Sequence, residues 1–312
     1  HQIGISNCQK GEYSDIMTGF LSGTATAMIT PFGEGGINFN AFGEMIERQI
    51  AGGTDMLVIL GTTGEPATMT EEEKTSVMKY AVKQAKGRVK LLFGCGSNST
   101  QHAVRSAKQA EELGADGLLA VTPYYNKCTQ NGLYAYYESI CKAVRIPVIA
   151  YNVPSRAGVN TLPATMARIA ELPNMAGLKD AGGNMSQTME TLRLIRGKCD
   201  LYSGEDALNF PILAVGGSGV ISVLSNIVPA DVKKLCTLIK TGNTEEAFAL
   251  QDKLQPLAQA CFVEVNPIPA KAALNLLGLN AGTPRAPLTE IEDANKAKLC
   301  AAMREYGLEI KE

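Results

Sequence analysis

The sequence predicts an α/β protein, a closed (β/α)8 barrel with a C-terminal helical extension, and three observations carry that prediction. Eight short, β-rich apolar runs recur along the chain, each closing on a Gly, Thr, Pro or Asn. Every gap between successive starts, 19 residues at the shortest, holds a helix and two loops, which is what a parallel crossover needs. The segments in those gaps carry helical spacing with recognisable start and stop signals. An even repeat to eight units favours closure, the TIM-barrel architecture, over an open doubly wound sheet.

The runs begin at Thr24 (TATAMITPF), Leu57 (LVILGTTGE), Leu91 (LLFGCGSN), Leu118 (LLAVTPYY), Val148 (VIAYNVP), Ala176 (AGLKDA), Leu201 (LYSGED) and Val220 (VISVLSN). Between the second and third, TEEEKTSVMKYAVKQAKG sets Thr70 and Glu73 at capping-box spacing, loads its first turn with acids and ends on Lys86 before Gly87. TQHAVRSAKQAEELGAD and LPATMARIAELPN show the same spacing with Gly or Pro terminators. GGSGV, at 216–220, resembles a barrel phosphate loop only weakly and reads rather as a tight turn into the eighth strand. Beyond it, DVKKLCTLIKTGNTEEAFALQDKLQPLAQACF, AKAALNLLGL and EDANKAKLCAAMREYGL read as helices. One completes the barrel, and the others form an appendage that either covers it or contacts another subunit. The expected organisation is a tag or flexible segment at 1–16, the barrel at 17–229 and the C-terminal helices at 230–312.

Composition narrows the function. Of 312 residues 45% are hydrophobic, 19% are charged and the net charge is -2, so no large basic surface exists for nucleic acid. No apolar run is long enough to span a bilayer, and the start lacks the order of a secretory signal; the expectation is no membrane and a cytoplasmic location. The eight cysteines contain no Cys-x-x-Cys pair, which suggests neither a zinc site nor a disulfide framework. Only two histidines are present; His102 reads as an ordinary surface residue, so a histidine-ligated metal or a Ser-His-Asp triad finds no support. Proton transfer falls to Tyr, Lys, Asp or Glu.

Barrel enzymes carry their chemistry at the C-terminal ends of the strands. These ends offer Thr30, Thr62 and Thr63, Asn98, Tyr124 and Tyr125, Tyr151, Lys179, Gly204 with Glu205, and Ile221. In MAGLKDAGG an apolar strand ends on Lys179. If that lysine faces the barrel mouth, strand alternation turns Leu178 and Asp180 to the helix layer. An amine in a partly apolar pocket sheds its charge more readily, and a neutral lysine forms a Schiff base with a carbonyl substrate. A snorkelling or ion-paired lysine reads the same locally. Tyr151 closes the neighbouring strand as a proton relay or as packing. Arg156, five residues on, suits capture of a carboxylate, or simply faces solvent. In GTTGE the glycines allow a tight turn whose Thr62 and Thr63 amides can face an anion, although an idle turn has the same sequence. Amine, phenol, anion nest and guanidinium on one mouth point to a carbonyl substrate bearing carboxylates, and to imine-forming aldol chemistry.

With GTTGE, VTPYYN, YNVPSRAG, GLKDA, YSGED, GVISVLSN and FVEVNPIPAK in order, the chain from about Gly19 onward resembles the dihydrodipicolinate synthase branch of the N-acetylneuraminate lyase superfamily. The resemblance implies that Lys179 forms a Schiff base with pyruvate, that Thr62, Tyr151 and Tyr125 relay protons, and that Thr63 with Thr62 holds the pyruvate carboxylate. It implies that Arg156 binds the carboxylate of L-aspartate 4-semialdehyde, with Gly204 and Ile221 lining the pocket and no metal or organic cofactor. It further implies a homotetramer, a dimer of dimers, in which Tyr125 reaches the neighbouring subunit's site. Sialic acid lyases carry Ser in place of the first threonine and lack the arginine; Thr62 and Arg156 therefore favour the synthase over a sugar-acid aldolase. Lysine-inhibited relatives place a Ser, two His and a Glu where this chain has Pro66, Glu71, Lys74 and His102, and only Asn98 and Tyr124 match. Weak or absent inhibition by lysine follows.

Overall fold

The computed structural model describes residues 19–311. The reading of 1–16 as a tag or flexible segment, and with it His1 and Cys8, lies outside the described residues.

Eight parallel strands close the barrel: β1 Gly23–Ala27, β2 Met56–Ile59, β3 Lys90–Gly94, β4 Gly117–Val121, β5 Val148–Asn152, β6 Met175–Asp180, β7 Asp200–Ser203 and β8 Gly219–Ser222. Each neighbours the next in sequence, and β8 returns to β1. Seven of the eight start one residue before the predicted position and β5 starts on it. A two-stranded hairpin, Phe32–Gly33 with Gly36–Ile37, follows β1.

Besides the single helical turn Pro154–Ala157, which carries Arg156, the helices are α1 Phe39–Ala51, α2 Glu71–Ala85, α3 Thr100–Glu112, α4 Gln130–Ala143, α5 Pro163–Ile169, α6 Met185–Ile195, α7 Asn209–Ala214, α8 Pro229–Lys240, α9 Thr244–Ala260, α10 Ile268–Leu276 and α11 Asp293–Tyr306. The capping box at α2 forms as predicted: Thr70 Oγ1 accepts from the Glu73 amide at 3.2 Å, and the Thr70 amide donates back to Glu73 Oε2 at 3.0 Å. At its other end Lys86 takes the left-handed conformation at φ 50. The segment after β8 is not one continuous helix but α8 and α9, parted where Gly242 turns at φ 81.

Two apolar layers follow from strand alternation. Ala25, Met56, Val58, Leu92, Leu119, Ile149 and Ile221 fill the barrel interior, while Leu57, Leu91, Leu118, Ala150 and Leu178 meet the outer helices. A third cluster joins α8, α9 and α11 through Leu235, Leu254, Leu257 and Met303. Truncating such a buried leucine to alanine costs about 2–5 kcal/mol. The β6 strand breaks the simple alternation: Val148 pairs with Met175 but Ile149 pairs with Gly177. That bulge puts two consecutive residues on one side and resets the phase of everything after it. Ala150 then pairs with Leu178, Tyr151 with Lys179 and Asn152 with Asp180.

Candidate active site

Lys179 is fixed from its flanks. Asp180 faces outward and takes hydrogen bonds from Thr188 Oγ1 of α6 at 2.7 Å and from the Gly182 amide at 3.1 Å. Leu178 packs into the strand–helix layer. The lysine between them therefore points into the barrel, where it is 5% exposed and its Nζ lies 4.1 Å from the centroid of the Tyr151 ring. It forms no ion pair among the described residues. A ring face attracts a cation weakly compared with a carboxylate, so this contact orients the amine without committing it to a charged partner.

The space beside Lys179 comes from Gly204, at the end of β7. A Cβ added there would stand 2.9 Å from Lys179 Cε and 3.0 Å from Ala181 Cβ. Ile221, at 1% exposure, belongs to the same inner layer as Tyr151 and Tyr202. Its strand end is held by Asp206, whose Oδ2 accepts the amides of Val223 at 2.9 Å and Leu224 at 2.8 Å.

The GTTGE segment becomes a single 3-10 turn, Thr62–Gly64, between Leu60 at φ 58 and Glu65 at φ 57. It comes close to β3 because residue 94 is glycine; a Cβ there would collide with the Leu60 carbonyl. The turn's internal bonds run from the amides of Gly64 and Glu65, so those of Thr62 and Thr63 remain available to a ligand. Thr62 is exposed at the mouth and Thr63 is buried. Neither the Thr62 hydroxyl nor that of Tyr151 bonds another described residue. Thr63 Oγ1 accepts from Asn266 Nδ2 at 2.9 Å.

Tyr151, Thr62 and Arg156 line one cavity of about 720 Å³. The guanidinium is exposed and donates to the Asn266 carbonyl at 3.2 Å. The structure thus brings together Lys179, Tyr151, Gly204 and Ile221 in the barrel, and Thr62, Thr63 and Arg156 at its rim. Tyr125 lines the same cavity at its open side, with φ 68 and 89% exposure. Buried Tyr136 and Tyr137 of α4 fix the end of β4 before it, donating to the carbonyls of Val121 at 3.1 Å and Ala120 at 3.0 Å. Burial pushes both phenols well above their ordinary range.

Three residues gained no role from sequence alone. Asn266 links Thr63 to Arg156, and its buried Oδ1 has no partner among the described residues. Glu65 and Lys271 form an ion pair beneath the turn, each side chain 1% exposed. Lys271 has a sequence signal: it stands three residues from both Ile268 and Leu274, on the buried face of α10. His102, read as an ordinary surface residue, lines the outer part of the cavity, its Nε2 3.8 Å from Glu71. Among the described residues no group of three or more His, Cys, Asp or Glu is placed to hold a metal ion, and no helix is long and apolar enough to cross a membrane.

A (β/α)8 barrel with a buried amine at a strand end and an anion-seeking turn at the rim defines a class, the barrels equipped for imine chemistry on a keto acid. The chain belongs to the dihydrodipicolinate synthetase family, whose pattern matches residues 20–306. It is 46% identical over 293 residues to the 4-hydroxy-tetrahydrodipicolinate synthase of Caldicellulosiruptor bescii, covering 94% of this chain and 99% of that one. The dihydrodipicolinate synthase structure from Aquifex aeolicus superposes with a TM-score of 0.91 at 40% identity, covering 94% of this chain and 100% of that one. A chloride-inhibited Acinetobacter baumannii enzyme complexed with pyruvate gives 0.90 at 38% identity, over 92% and 99%.

Proposed function

We propose that this protein is a lyase that condenses pyruvate with L-aspartate 4-semialdehyde to 4-hydroxy-tetrahydrodipicolinate, for lysine and diaminopimelate synthesis. The observation that carries the reading is the amine of Lys179, free of any carboxylate and facing Tyr151 inside the barrel.

The Lys179 nitrogen attacks C2 of pyruvate, and loss of water gives the imine. The Thr62 and Thr63 amides hold the pyruvate carboxylate at the rim. Loss of a methyl proton gives the enamine, whose carbon attacks the aldehyde carbon; the aldehyde oxygen takes up a proton through the Tyr151 and Thr62 hydroxyls. Arg156 holds the second substrate's carboxylate in a forked pair. The substrate's own amine then attacks C2, closes the ring and releases Lys179. Tyr125, exposed on a single chain, is assigned to the relay of a neighbouring subunit within a homotetramer. The barrel carries the chemistry and the C-terminal helices brace it. The cytoplasm is the expected compartment for free pyruvate.

Borohydride reduction with pyruvate tests the chemistry: the expected result is a stable mass adduct on Lys179, absent from Lys179→Ala. A barrel that only binds its ligand gives no adduct. Turnover of aspartate semialdehyde against N-acetylneuraminate separates the synthase from a sugar-acid aldolase of the same imine class.

A further inference from the structure

The turn that carries Thr62 and Thr63 is held from below by charge that the reaction itself does not use. Glu65 closes the turn in the left-handed region, and its Oε1 lies 2.5 Å from Nζ of Lys271. Its other oxygen accepts the Arg285 amide at 2.9 Å. Lys271 donates to the Thr283 carbonyl at 3.3 Å and stands 4.0 Å from the Phe32 ring centroid. It lies on α10, five residues beyond Asn266, which bonds both Thr63 and Arg156. Two struts thus run from the turn to one short stretch of the C-terminal helices, Thr63 to Asn266 and Glu65 to Lys271. A third element ties them to α2: the Arg285 guanidinium grips both oxygens of Glu73 at 2.6 and 2.7 Å.

A buried ion pair is a poor source of net stability, because removing two charges from water offsets most of their attraction. Apolar side chains of similar volume would hold the layers together as well. They would not fix the direction of a turn whose last residue is a non-glycine at φ 57, a conformation that persists only where its surroundings over-determine it. The contacts on the two oxygens of Glu65 provide that determination. Bringing an anion to the amides of Thr62 and Thr63 demands this geometry; folding does not.

We propose that Glu65 and Lys271 are positioning residues for the keto-acid carboxylate: the pair clamps the Thr62–Thr63 turn to the segment bearing Asn266, and so keeps the turn's amides aimed at the substrate. The proposal rests on the reading that this turn holds the pyruvate carboxylate.

Borohydride trapping at graded pyruvate, together with steady-state kinetics, tests it on Lys271→Met, Glu65→Gln and the double variant. The half-saturating pyruvate concentration is expected to rise about tenfold or more, since small misplacements of a binding group cost that much. Turnover at saturating pyruvate should change much less. A merely structural pair would lower the melting temperature and the folded yield but leave half-saturation of the folded protein unchanged, and that result overturns the proposal. Where one remaining charge unfolds a single variant, the double variant, with no buried charge, is read by the same criterion. An absent adduct in the wild-type protein defeats the underlying reading. An adduct in the wild type with unaltered half-saturation in the folded double variant defeats the clamp alone.

Discussion

Lys179 and Tyr151 face each other across adjacent strands, paired in register, with the amine 4.1 Å from the centre of the phenol ring. The ring packs the amine, and in the proposed mechanism the hydroxyl serves the proton, so the two roles separate by substitution. Tyr151→Phe keeps the ring beneath Nζ and removes only the oxygen. Reducible adduct with pyruvate should still form, while condensation turnover falls about 100-fold or more, the usual worth of a positioned acid–base group. Unchanged turnover would remove Tyr151 from the relay.

Gly204 keeps the opposite side of the amine open. A methyl group there stands 2.9 Å from Lys179 Cε and 3.0 Å from Lys179 Cγ, closer than carbon atoms tolerate. The flexible lysine yields more readily than the strand, so Gly204→Ala should fold with a melting temperature near that of the parent. The displaced amine should form adduct at least tenfold more slowly, because reacting atoms must sit within a narrow near-attack geometry. Trapping rate against thermal unfolding checks it; normal trapping would show that Lys179 has room elsewhere.

The strands and most helices were legible because each carries its own period and punctuation, as Thr70, Glu73 and Gly87 do for α2. The inward aim of Lys179 was legible only as a condition, since the bulge between Val148 and Ile149 resets the phase of β6. Counting alternation from Met175 across that bulge would misplace the lysine. Counting outward from Lys179 places Leu178 and Asp180 correctly, because both lie beyond it. Glu65 and Lys271 stand in GTTGE and FVEVNPIPAK; the helical spacing of Lys271 signals burial, but nothing local signals that the two meet. Their pairing depends on a chain crossing of more than 200 residues, and lysines and glutamates on helices and loops are usually solvated. The break between α8 and α9 was written as Gly242 but lay inside an otherwise continuous apolar period.

Tyr125 lines the open side of the cavity yet is 89% exposed, with most of its ring free to meet another chain. If it serves a neighbouring chain, two defective chains can complement each other. Lys179→Ala and Tyr125→Ala, each inactive or weak alone, should regain turnover when unfolded and refolded together, since one site in a mixed pair has both groups. No gain over the separate variants, with mixed oligomers demonstrated, would return Tyr125 to a surface role.

Free lysine should inhibit weakly or not at all. The carboxylate best placed to receive an ammonium in the outer cavity, Glu71, already holds Lys74 at 2.8 Å and stands 3.8 Å from His102. Its pKa is lowered by the Lys74 hydrogen bond above all, with His102 and Arg105 adding their charge. An incoming ammonium would have to displace a resident one and sit beside further cations. Initial rates across a lysine titration check this, and half-inhibition below about 1 mM, a free energy near 4 kcal/mol, would contradict it.

The clamp predicts a pH dependence of substrate affinity that runs against that of stability. Burial pulls Lys271 down to about 8, with Arg285 pushing the same way and Glu65 opposing. The other groups around its nitrogen, the Thr283 carbonyl and the Phe32 ring, do not titrate. An unfolded lysine keeps its proton to about 10.4. Between those values the unfolded chain binds more protons, so this group's contribution to stability rises with pH and its desolvation cost weighs on the folded state below about 8. Affinity moves the other way. As Lys271 loses its charge the hold on Glu65 weakens, the Thr62–Thr63 turn loosens, and half-saturating pyruvate climbs toward the value of Lys271→Met. In that variant no proton is lost at position 271, and its half-saturation should stay flat where the wild type rises. The two curves, measured by adduct formation between pH 7 and 9, should therefore start apart and converge. Parallel curves would mean that the charge on Lys271 does not govern the turn.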